Sequence, residues 1–279
     1  MIFLYKTLSN IFYPILVLII LFRKFFNKEH AIRYKEKIFS SNFNILRKKD
    51  SKLIWFHAAS IGEMKSILPI IIELNKKYHN FEFLITTVTL SSGNLLQEEI
   101  KTLQNVRHRY FPIDVNFLTK KFLSLWKPDF IFFVDSEIWP NFIQNISKNK
   151  IPLAIINARL TAKSIRKWMF FPRTAKSIFG HFDLCLSSNL ETKDYLLKLK
   201  AKNIFNTGNL KLISSPNINQ KNKIHKGILL NKNFWLAAST HKGEELFCLN
   251  THLELKKKNQ KIFTVIAPSH INRVNEIKE

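Results

Sequence analysis

Short apolar runs alternate with amphipathic stretches along most of the chain from residue 30 onward. Such runs are typical of buried strands, and the helical spacing of the stretches between them is typical of surface helices. This alternation predicts an α/β fold, in which helices cover both faces of a parallel sheet. The predicted strands are Leu53–Phe56, Phe83–Thr87, Phe130–Val134, Leu153–Ile156 and Leu184–Ser187, and clear helical stretches are Met64–Tyr78 and Ser91–Leu103.

A polar stretch at 214–233 separates this first region from a second one. The stretch carries Pro216 and Gly227, which favour an irregular linker. The second region, 234–279, has two strand-like runs around one helical stretch, and so small a fragment does not close a core of its own. We therefore interpret it as an incomplete second domain of a truncated chain. Its predicted elements are strand Phe234–Ala238, helix Glu244–Lys258 and strand Ile262–Ile266.

The first 27 residues predict a membrane anchor helix. Residues 11–22 are uninterrupted apolar sequence, and Lys6 is the only charged residue in 1–22. A spanning helix needs about 20 mostly apolar residues. The cations Arg23, Lys24 and Lys28 follow at once, which predicts that the rest of the chain lies in the cytoplasm. A helix lying in the plane of the membrane is the alternative, because Pro14 favours a kink.

The net charge of +24 is the outstanding feature of the composition. Such a charge attracts polyanions, whether nucleic acid, anionic lipid or phosphorylated small molecules, although a solvated lysine-rich surface explains it equally well. A hydrophobic content of 46% excludes a disordered chain. The two cysteines and nine histidines show no disulfide or metal-ligand spacing, and the sequence lacks the loop motifs of dinucleotide-binding proteins, P-loop NTPases, triad hydrolases and zincins.

Polar residues follow the predicted strands, at the edge where ligands bind in open parallel sheets. Ser60, Gly62 and Glu63 come after the first strand, where Glu63 is either a general base or an acid that caps the following helix. Asp135 and Glu137 follow another strand, and the pair suggests one acid in the cleft and one that holds the loop.

Further candidates are cationic or amide side chains. Asn157 and Arg159 follow the fourth predicted strand, where the arginine is suited to a phosphate or to a neighbouring acid. Lys211 precedes the linker, where a cleft between domains would place a cation, although a lone lysine is usually a surface residue. In the second region, Ser239, Thr240 and His241 follow one strand, and Pro268 and Ser269 follow the other.

The order and spacing of these motifs resemble the family of 3-deoxy-D-manno-octulosonic acid (Kdo) transferases. The resemblance covers nearly the whole chain. The motifs that carry it are, after the apolar N-terminus, HAASIGE from 57, TTVTLSSG from 86, the turn at 112–114, DSEIWPN from 135, NARLTAKS from 157, TGNLK from 207 and STHKGEE from 239.

The resemblance implies a GT-B type glycosyltransferase. Its domains are then the anchor at 1–27, a Rossmann-like acceptor domain at 28–213, the linker at 214–233, and at 234–279 the start of a Rossmann-like donor domain. The implied reaction transfers Kdo from CMP-Kdo to lipid IVA, the lipid A precursor, in lipopolysaccharide synthesis. The implied place is the cytoplasmic side of a bacterial inner membrane, with no nucleic acid partner.

The resemblance also assigns roles. Glu63 matches the family's general base for an inverting transfer, and Asp135 and Lys211 match positions that support the transition state. No metal and no cofactor is implied. Asp135 replaces the usual Glu, Ser269 replaces a common Arg, and we expect chain 1–279 by itself to be inactive. The predicted substrate-binding residues are Ser60, Gly62, Glu137, Asn157, Arg159, Ser239, Thr240, His241, Pro268 and Ser269.

Two alternatives stay open at this point. One is a non-catalytic, membrane-associated protein that binds polyanions or lipid, which explains the charge and the apolar N-terminus. The other is a related membrane glycosyltransferase that uses a different sugar donor.

Overall fold

A computed structural model describes residues 1–48, 50–213, 232–270 and 273–278. The chain divides into two compact units, Met1–Ser215 and Pro216–Glu279. The predicted linker at 214–233 lies outside the described residues, except for its last two positions.

The N-terminal apolar segment forms two helices, α1 (Ile2–Ile11) and α2 (Tyr13–Phe25). The segment predicted as one anchor helix is thus divided in two, because the chain bends by 59° at Phe12. Pro14 lies in the first turn of α2, where proline favours a helix start. Among the described residues, no single helix is long and apolar enough to cross a membrane, whereas this bent pair reaches the necessary length and composition together.

Both helices are bonded to the domain through tyrosine hydroxyl groups. Tyr5 of α1 donates a hydrogen bond of 3.0 Å to the carboxylate of Asp114. Tyr13 at the start of α2 donates one of 2.6 Å to the backbone carbonyl of Ile38. The outward sides of the two helices remain apolar and exposed, as for Phe3 at 79%.

An ionic cluster around the buried Glu29 and Lys37 fixes the end of α2. Arg23 pairs with Glu29 at 2.7 Å, and Lys37 bonds to the other oxygen of the same carboxylate. Lys37 also donates to the carbonyl of Val88 at 2.7 Å. Burial lowers the pKa of Lys37, and its bond to Glu29 opposes that shift. A buried charge is tolerated only when it is paired in this way.

The first unit contains a seven-stranded parallel sheet in the order β3-β2-β1-β4-β5-β6-β7. The α/β fold is thus confirmed. The five predicted strands are present, two of them at the predicted bounds, and two edge strands, β3 and β7, were missed. The strands are β1 Lys52–His57, β2 Phe81–Thr87, β3 Val106–Tyr110, β4 Phe130–Val134, β5 Leu153–Ala158, β6 Leu184–Ser187 and β7 Ile204–Asn206.

Helices cover both faces of this sheet, and a hydrophobic core lies on each side. On one face α3 and α4 pack against β1 and β2, and on the other face α5 to α9 form the larger core around Trp55 and Phe142. The helix α1 contacts α5 and α6 on that second face. The helices are α3 Ile61–Lys77, α4 Leu90–Glu99, α5 Asn116–Trp126, α6 Pro140–Lys148, α7 Ala162–Met169, α8 Pro172–Phe179 and α9 Leu190–Lys198.

The second unit is a parallel pair of strands with one long helix. Its elements are β8 (Phe234–Thr240), α10 (Glu244–Lys258) and β9 (Phe263–Pro268), followed by the short helix α11 (Val274–Lys278). The helix α10 has the predicted bounds, and each strand runs two residues further than predicted at its carboxyl end. Cys248 is the main apolar side chain that α10 buries.

Candidate functional site

The carboxyl ends of β1 and β4 lie side by side in the centre of the first sheet. The chain adds strands on one side of β1 and then on the other side, from β4 onward. Ligands bind at such a switch point in open parallel sheets. The turn after β1 carries Glu63, and the turn after β4 carries Asp135 and Glu137, so the predicted acids flank this point.

Glu63 is held by its own turn. Ser60 is the N-cap of α3 and accepts a hydrogen bond from the Glu63 backbone N–H, at 3.3 Å. The Glu63 carboxylate accepts bonds of 2.7 Å from the Ser60 hydroxyl and 2.8 Å from the Ala59 N–H. This reciprocal arrangement is a variant of the capping box. Glu63 therefore does cap its helix.

Burial raises the pKa of Glu63, the bonds from Ser60 and Ala59 oppose that rise, and repulsion from Glu137 and Asp135 adds to it. Its side chain is largely buried, with 9% of the residue exposed. A carboxylate with a raised pKa is a better proton acceptor, which is the property that a general base needs.

Asp135 faces a cation from a distant part of the chain. The Lys211 Nζ lies 3.6 Å from the Asp135 carboxylate. Burial raises the pKa of Asp135, and the positive charges of Lys211 and Arg159 oppose that rise. The Asp135 backbone is left-handed, with φ of 61°. Aspartate is among the few side chains that tolerate this conformation at modest cost.

Asn157 at the end of β5 fixes the loop that carries Lys211. Its side chain is buried and accepts a hydrogen bond of 3.0 Å from the Leu210 N–H. The next residue, Lys211, extends over the start of α3, where its amino group lies 3.8 Å from the place that a side chain on Gly62 would occupy. The lysine thus covers Gly62 at an ordinary van der Waals distance.

Glu137 is bonded to two ring nitrogens. The Trp139 Nε1–H donates to its carboxylate at 2.7 Å, and the His57 Nε2 lies 3.2 Å from the same oxygen. His57 is fully buried, stacks on Phe111 at 3.7 Å between ring centroids, and has Nδ1 3.0 Å from the Thr86 hydroxyl. Neither His57 nor Trp139 was predicted from the sequence as a site residue. The sequence feature that could have indicated them is that His57 and Trp139 belong to the same motifs as Glu63 and Glu137, HAASIGE and DSEIWPN.

Asp114 is a third residue of the site region that was not predicted from the sequence. Its carboxylate accepts bonds from the first N–H groups of α6, Asn141 at 3.0 Å and Phe142 at 2.9 Å, besides the hydroxyl of Tyr5. Burial raises the pKa of Asp114 to about 6, although these donors oppose the shift. Asp114 therefore links α6, which follows the site acids, to the N-terminal helix α1.

A cavity of about 710 Å³ lies between the N-terminal helices and the strand ends. Its walls are mostly apolar side chains of α1 and α2, together with Phe111 and Trp139. The cluster of Arg23, Glu29 and Lys37 also borders it. The volume is in the usual range for ligand-binding pockets. Through Trp139 the cavity adjoins the network of Glu137.

The predicted residues of the second unit also meet at strand ends. Ser269 donates its backbone N–H to the Thr240 carbonyl at 3.1 Å, and its hydroxyl lies 3.4 Å from the His241 Nδ1. Ser239 has a left-handed backbone with φ of 61°, and Pro268 is the last residue of β9. These five residues thus form one group, and Glu63, Asp135 and Lys211 with their neighbours form another in the first unit.

The strand ends of the second unit also include an ion pair. Arg273, which was not predicted, donates to the Thr240 carbonyl at 3.0 Å and pairs with Glu245 at 2.9 Å. The bond from Arg273 lowers the pKa of Glu245 to about 2.

Within the described residues of both units, no group of three His, Cys, Asp or Glu side chains is placed to hold a metal ion.

The sequence has close counterparts among known proteins. Residues 32–214 match the family model described as 3-deoxy-D-manno-octulosonic-acid transferase (kdotransferase). The chain is 32% identical over 276 residues to a 3-deoxy-D-manno-octulosonic acid transferase of Rickettsia bellii, covering 98% of this chain and 65% of the relative. It is 29% identical to a probable mitochondrial 3-deoxy-D-manno-octulosonic acid transferase of Arabidopsis thaliana, covering 98% of this chain and 62% of the relative. The chain thus spans somewhat less than two thirds of these curated relatives.

Solved structures support the fold. The UDP-GlcNAc 2-epimerase of Neisseria meningitidis, bound to UDP-GlcNAc, matches with a TM-score of 0.55 and 17% identity, over 81% of this chain and 67% of that one. Identity this low bears on the fold alone. Together with the parallel sheet, the match confirms the predicted Rossmann-like fold of the GT-B type.

Proposed function

Because the chain belongs to the Kdo transferase family, we propose that it is the N-terminal part of an enzyme that transfers Kdo from CMP-Kdo to lipid IVA. The observation that carries the proposal is the convergence of an acid with a raised pKa, Glu63, and an acid–cation pair, Asp135 and Lys211, at the switch point of the sheet. A transfer that releases a nucleotide needs a base for the acceptor and a cation for the leaving group.

In the proposed reaction, Glu63 takes the proton from a hydroxyl group of the acceptor sugar. The hydroxyl oxygen then forms a bond to the anomeric carbon of Kdo while the bond from that carbon to the CMP phosphate breaks. The electron pair of the broken bond leaves with CMP, and attack from the opposite side inverts the anomeric configuration. Lys211 lies near Gly62 at the start of α3, so its charge is available to the departing phosphate.

The acceptor is proposed to be a lipid because of the cavity beside these residues. Its apolar walls, formed by α1 and α2, suit an acyl chain. The exposed apolar faces of the same helices suit attachment to a membrane, on its cytoplasmic side. The positive charge of the chain suits an acceptor that carries phosphate groups. Ser239, His241 and Ser269 at the strand ends of the second unit are proposed to contribute to the donor site.

The test is a transfer assay with CMP-Kdo and lipid IVA, on the longest natural polypeptide that contains this chain. We expect wild type to transfer Kdo and Glu63→Gln to be slower by about 100-fold or more, because general base catalysis contributes that much. Glu63→Gln keeps the size of the side chain, and circular dichroism checks that the variant is folded.

Other outcomes separate the alternatives. If Glu63→Gln transfers Kdo as wild type does, Glu63 only caps its helix. If wild type binds lipid IVA but transfers no sugar from CMP-Kdo, the lipid-binding protein or a different donor takes the place of the proposal. Chain 1–279 is assayed in parallel, and transfer by this chain contradicts the expectation that it is inactive.

A further inference from the structure

The corner between α7 and α8, residues 162–179, exposes large apolar side chains. The two helices are held to the core through Ile165 and Phe179, and Trp168 packs edge-on against Phe179 with ring centroids 5.2 Å apart. Beyond this anchored part the chain turns outward. The exposed side chains at the turn are Met169 at 47%, Phe170 at 78% and Phe171 at 50%.

Cations surround this apolar turn. Residues 162–180 contain five basic side chains and no acidic one, and all five are exposed. None of them forms an ion pair within the part of the chain that the structure describes. A helix pair of this composition attracts anions strongly. The five are Lys163, Arg166, Lys167, Arg173 and Lys176.

A groove of about 290 Å³ lies beside the turn, between α8 and the end of α9. Four cations line it, two from α8 and two from the end of α9, together with Met169 and Pro172 from the turn. The groove therefore has a cationic part and an apolar part. The four cations are Arg173, Lys176, Lys198 and Lys200.

The corner lies on the same face of the sheet as the N-terminal helices. The helix α1 contacts α5 and α6, and α6 in turn contacts α8. Side chains from all of these helices belong to the core on that face. The exposed apolar sides of α1 and α2 and the exposed turn of the corner are therefore two surfaces on one layer of helices.

We propose that the α7–α8 corner is a second membrane contact, separate from the N-terminal helices, and that it is specific for anionic phospholipid. The groove takes the phosphate of a lipid headgroup, and Phe170 and Phe171 enter the boundary between headgroups and acyl chains. Basic residues beside exposed aromatic ones are typical of surfaces that bind anionic lipid. A protein partner fits less well, because charged residues are depleted at the centre of protein interfaces.

The test places an environment-sensitive fluorophore on the corner. Both native cysteines, Cys185 and Cys248, are buried, so a thiol introduced by Phe170→Cys is labelled selectively. Phe170 is mostly exposed, so its replacement leaves the core intact. Glu99→Cys, an exposed site on α4 across the sheet, is the matched control. The readout is independent of sugar transfer, so it is unaffected if the proposed reaction is wrong.

Vesicles of mixed phosphatidylcholine and phosphatidylglycerol are expected to shift the emission of the label at position 170 to the blue, and to leave the label at position 99 unchanged. Pure phosphatidylcholine vesicles or high salt are expected to remove the shift. With Arg173→Gln and Lys176→Gln added, about 30-fold more anionic lipid is expected to be needed, since each basic residue near the surface contributes about 1 kcal/mol to the attraction.

Three results overturn the proposal. One is a label at position 170 that stays in water while the protein sediments with anionic vesicles, because α1 and α2 then make the whole contact. Another is an equal shift with neutral vesicles, which leaves no role for the cations. The third is a shift that appears without lipid and grows with protein concentration, because a second copy of the chain then covers the corner.

Discussion

The turns after β1 and after β4 both carry acids of the site, but they are held in different ways. The helix α3 is capped by its own first residues, since Ser60 and Glu63 exchange hydrogen bonds. Among the described residues, no side chain of the turn before α6 bonds to the first N–H groups of that helix. Those groups donate instead to Asp114, which belongs to the turn before α5.

The same difference applies to the acids themselves. Glu63 is fixed by partners three and four residues away. Asp135 is paired with Lys211, and Glu137 contacts both Trp139, two residues away, and His57, 80 residues away. A locally held acid keeps its place when other parts of the molecule change. The acids after β4 depend on the packing of several distant elements, so substitutions far along the chain are expected to disturb them.

The largest effect is expected from Lys211→Gln, which removes the distant cation near Asp135 and Gly62. Transfer by the complete enzyme is expected to fall by about 100- to 1000-fold, as when one group that stabilises transition-state charge is lost. The measurement is the rate of Kdo transfer at saturating donor. Lys76→Gln on the exposed face of α3 is the control and is expected to have no effect. Undiminished transfer by Lys211→Gln would remove this residue from the reaction.

An intermediate effect is expected from Asp114→Ala, which leaves the first N–H groups of α6 without their acceptor. The free energy of unfolding is expected to fall by about 1–3 kcal/mol, since buried donors lose their partner. Chemical denaturation measures it. Asp194→Ala on the exposed side of α9 is the control. An unchanged stability would mean that water or another group replaces Asp114, and that α6 does not depend on the distant cap.

The smallest change in stability is expected from Ser60→Ala, about 1 kcal/mol for the loss of a helix cap. The substitution also removes a bond that lowers the pKa of Glu63, so this pKa rises further. A base with a higher pKa loses its proton only at higher pH, so the acidic side of the pH–rate profile is expected to move upward.

Thr89→Ala is the matched control for Ser60→Ala, because Thr89 caps α4 in the same way but does not contact Glu63. It is expected to cost similar stability without moving the pH–rate profile. Equal profiles for the two variants would show that Ser60 does not influence the base.

The sequence predicted those elements whose signal is local. Uninterrupted apolar runs located β4 and β6 at their observed bounds. The strand β3 was missed because Arg107, His108 and Arg109 stand between Val106 and Tyr110, so the segment shows no apolar run. The strand β7 has only three residues. The bend at Phe12 was predicted only within an alternative, through the kink that Pro14 favours. It accompanies contacts of α1 and α2 with distant residues, which the local sequence does not reveal.

The candidate site follows the same division. A capping role for Glu63 was one of two local interpretations of the sequence, and its partner Ser60 is only three residues away. The contacts of Glu137 with His57 and of Asp135 with Lys211 depend on which strands are neighbours. The sequence motifs named most of these residues, but the pairs among them emerge only when the sheet order is known.

The attachment of the N-terminal helices has a mechanical consequence. They are bonded to the domain near their start through Tyr5, just past the bend through Tyr13, and at their end through Arg23. A segment joined at one point swings freely, whereas three separate bonds restrict rotation. If the helices enter a bilayer, their depth therefore sets the height and tilt of the strand-end acids above it. Bilayer thickness then becomes a variable that controls how well the site reaches a lipid headgroup.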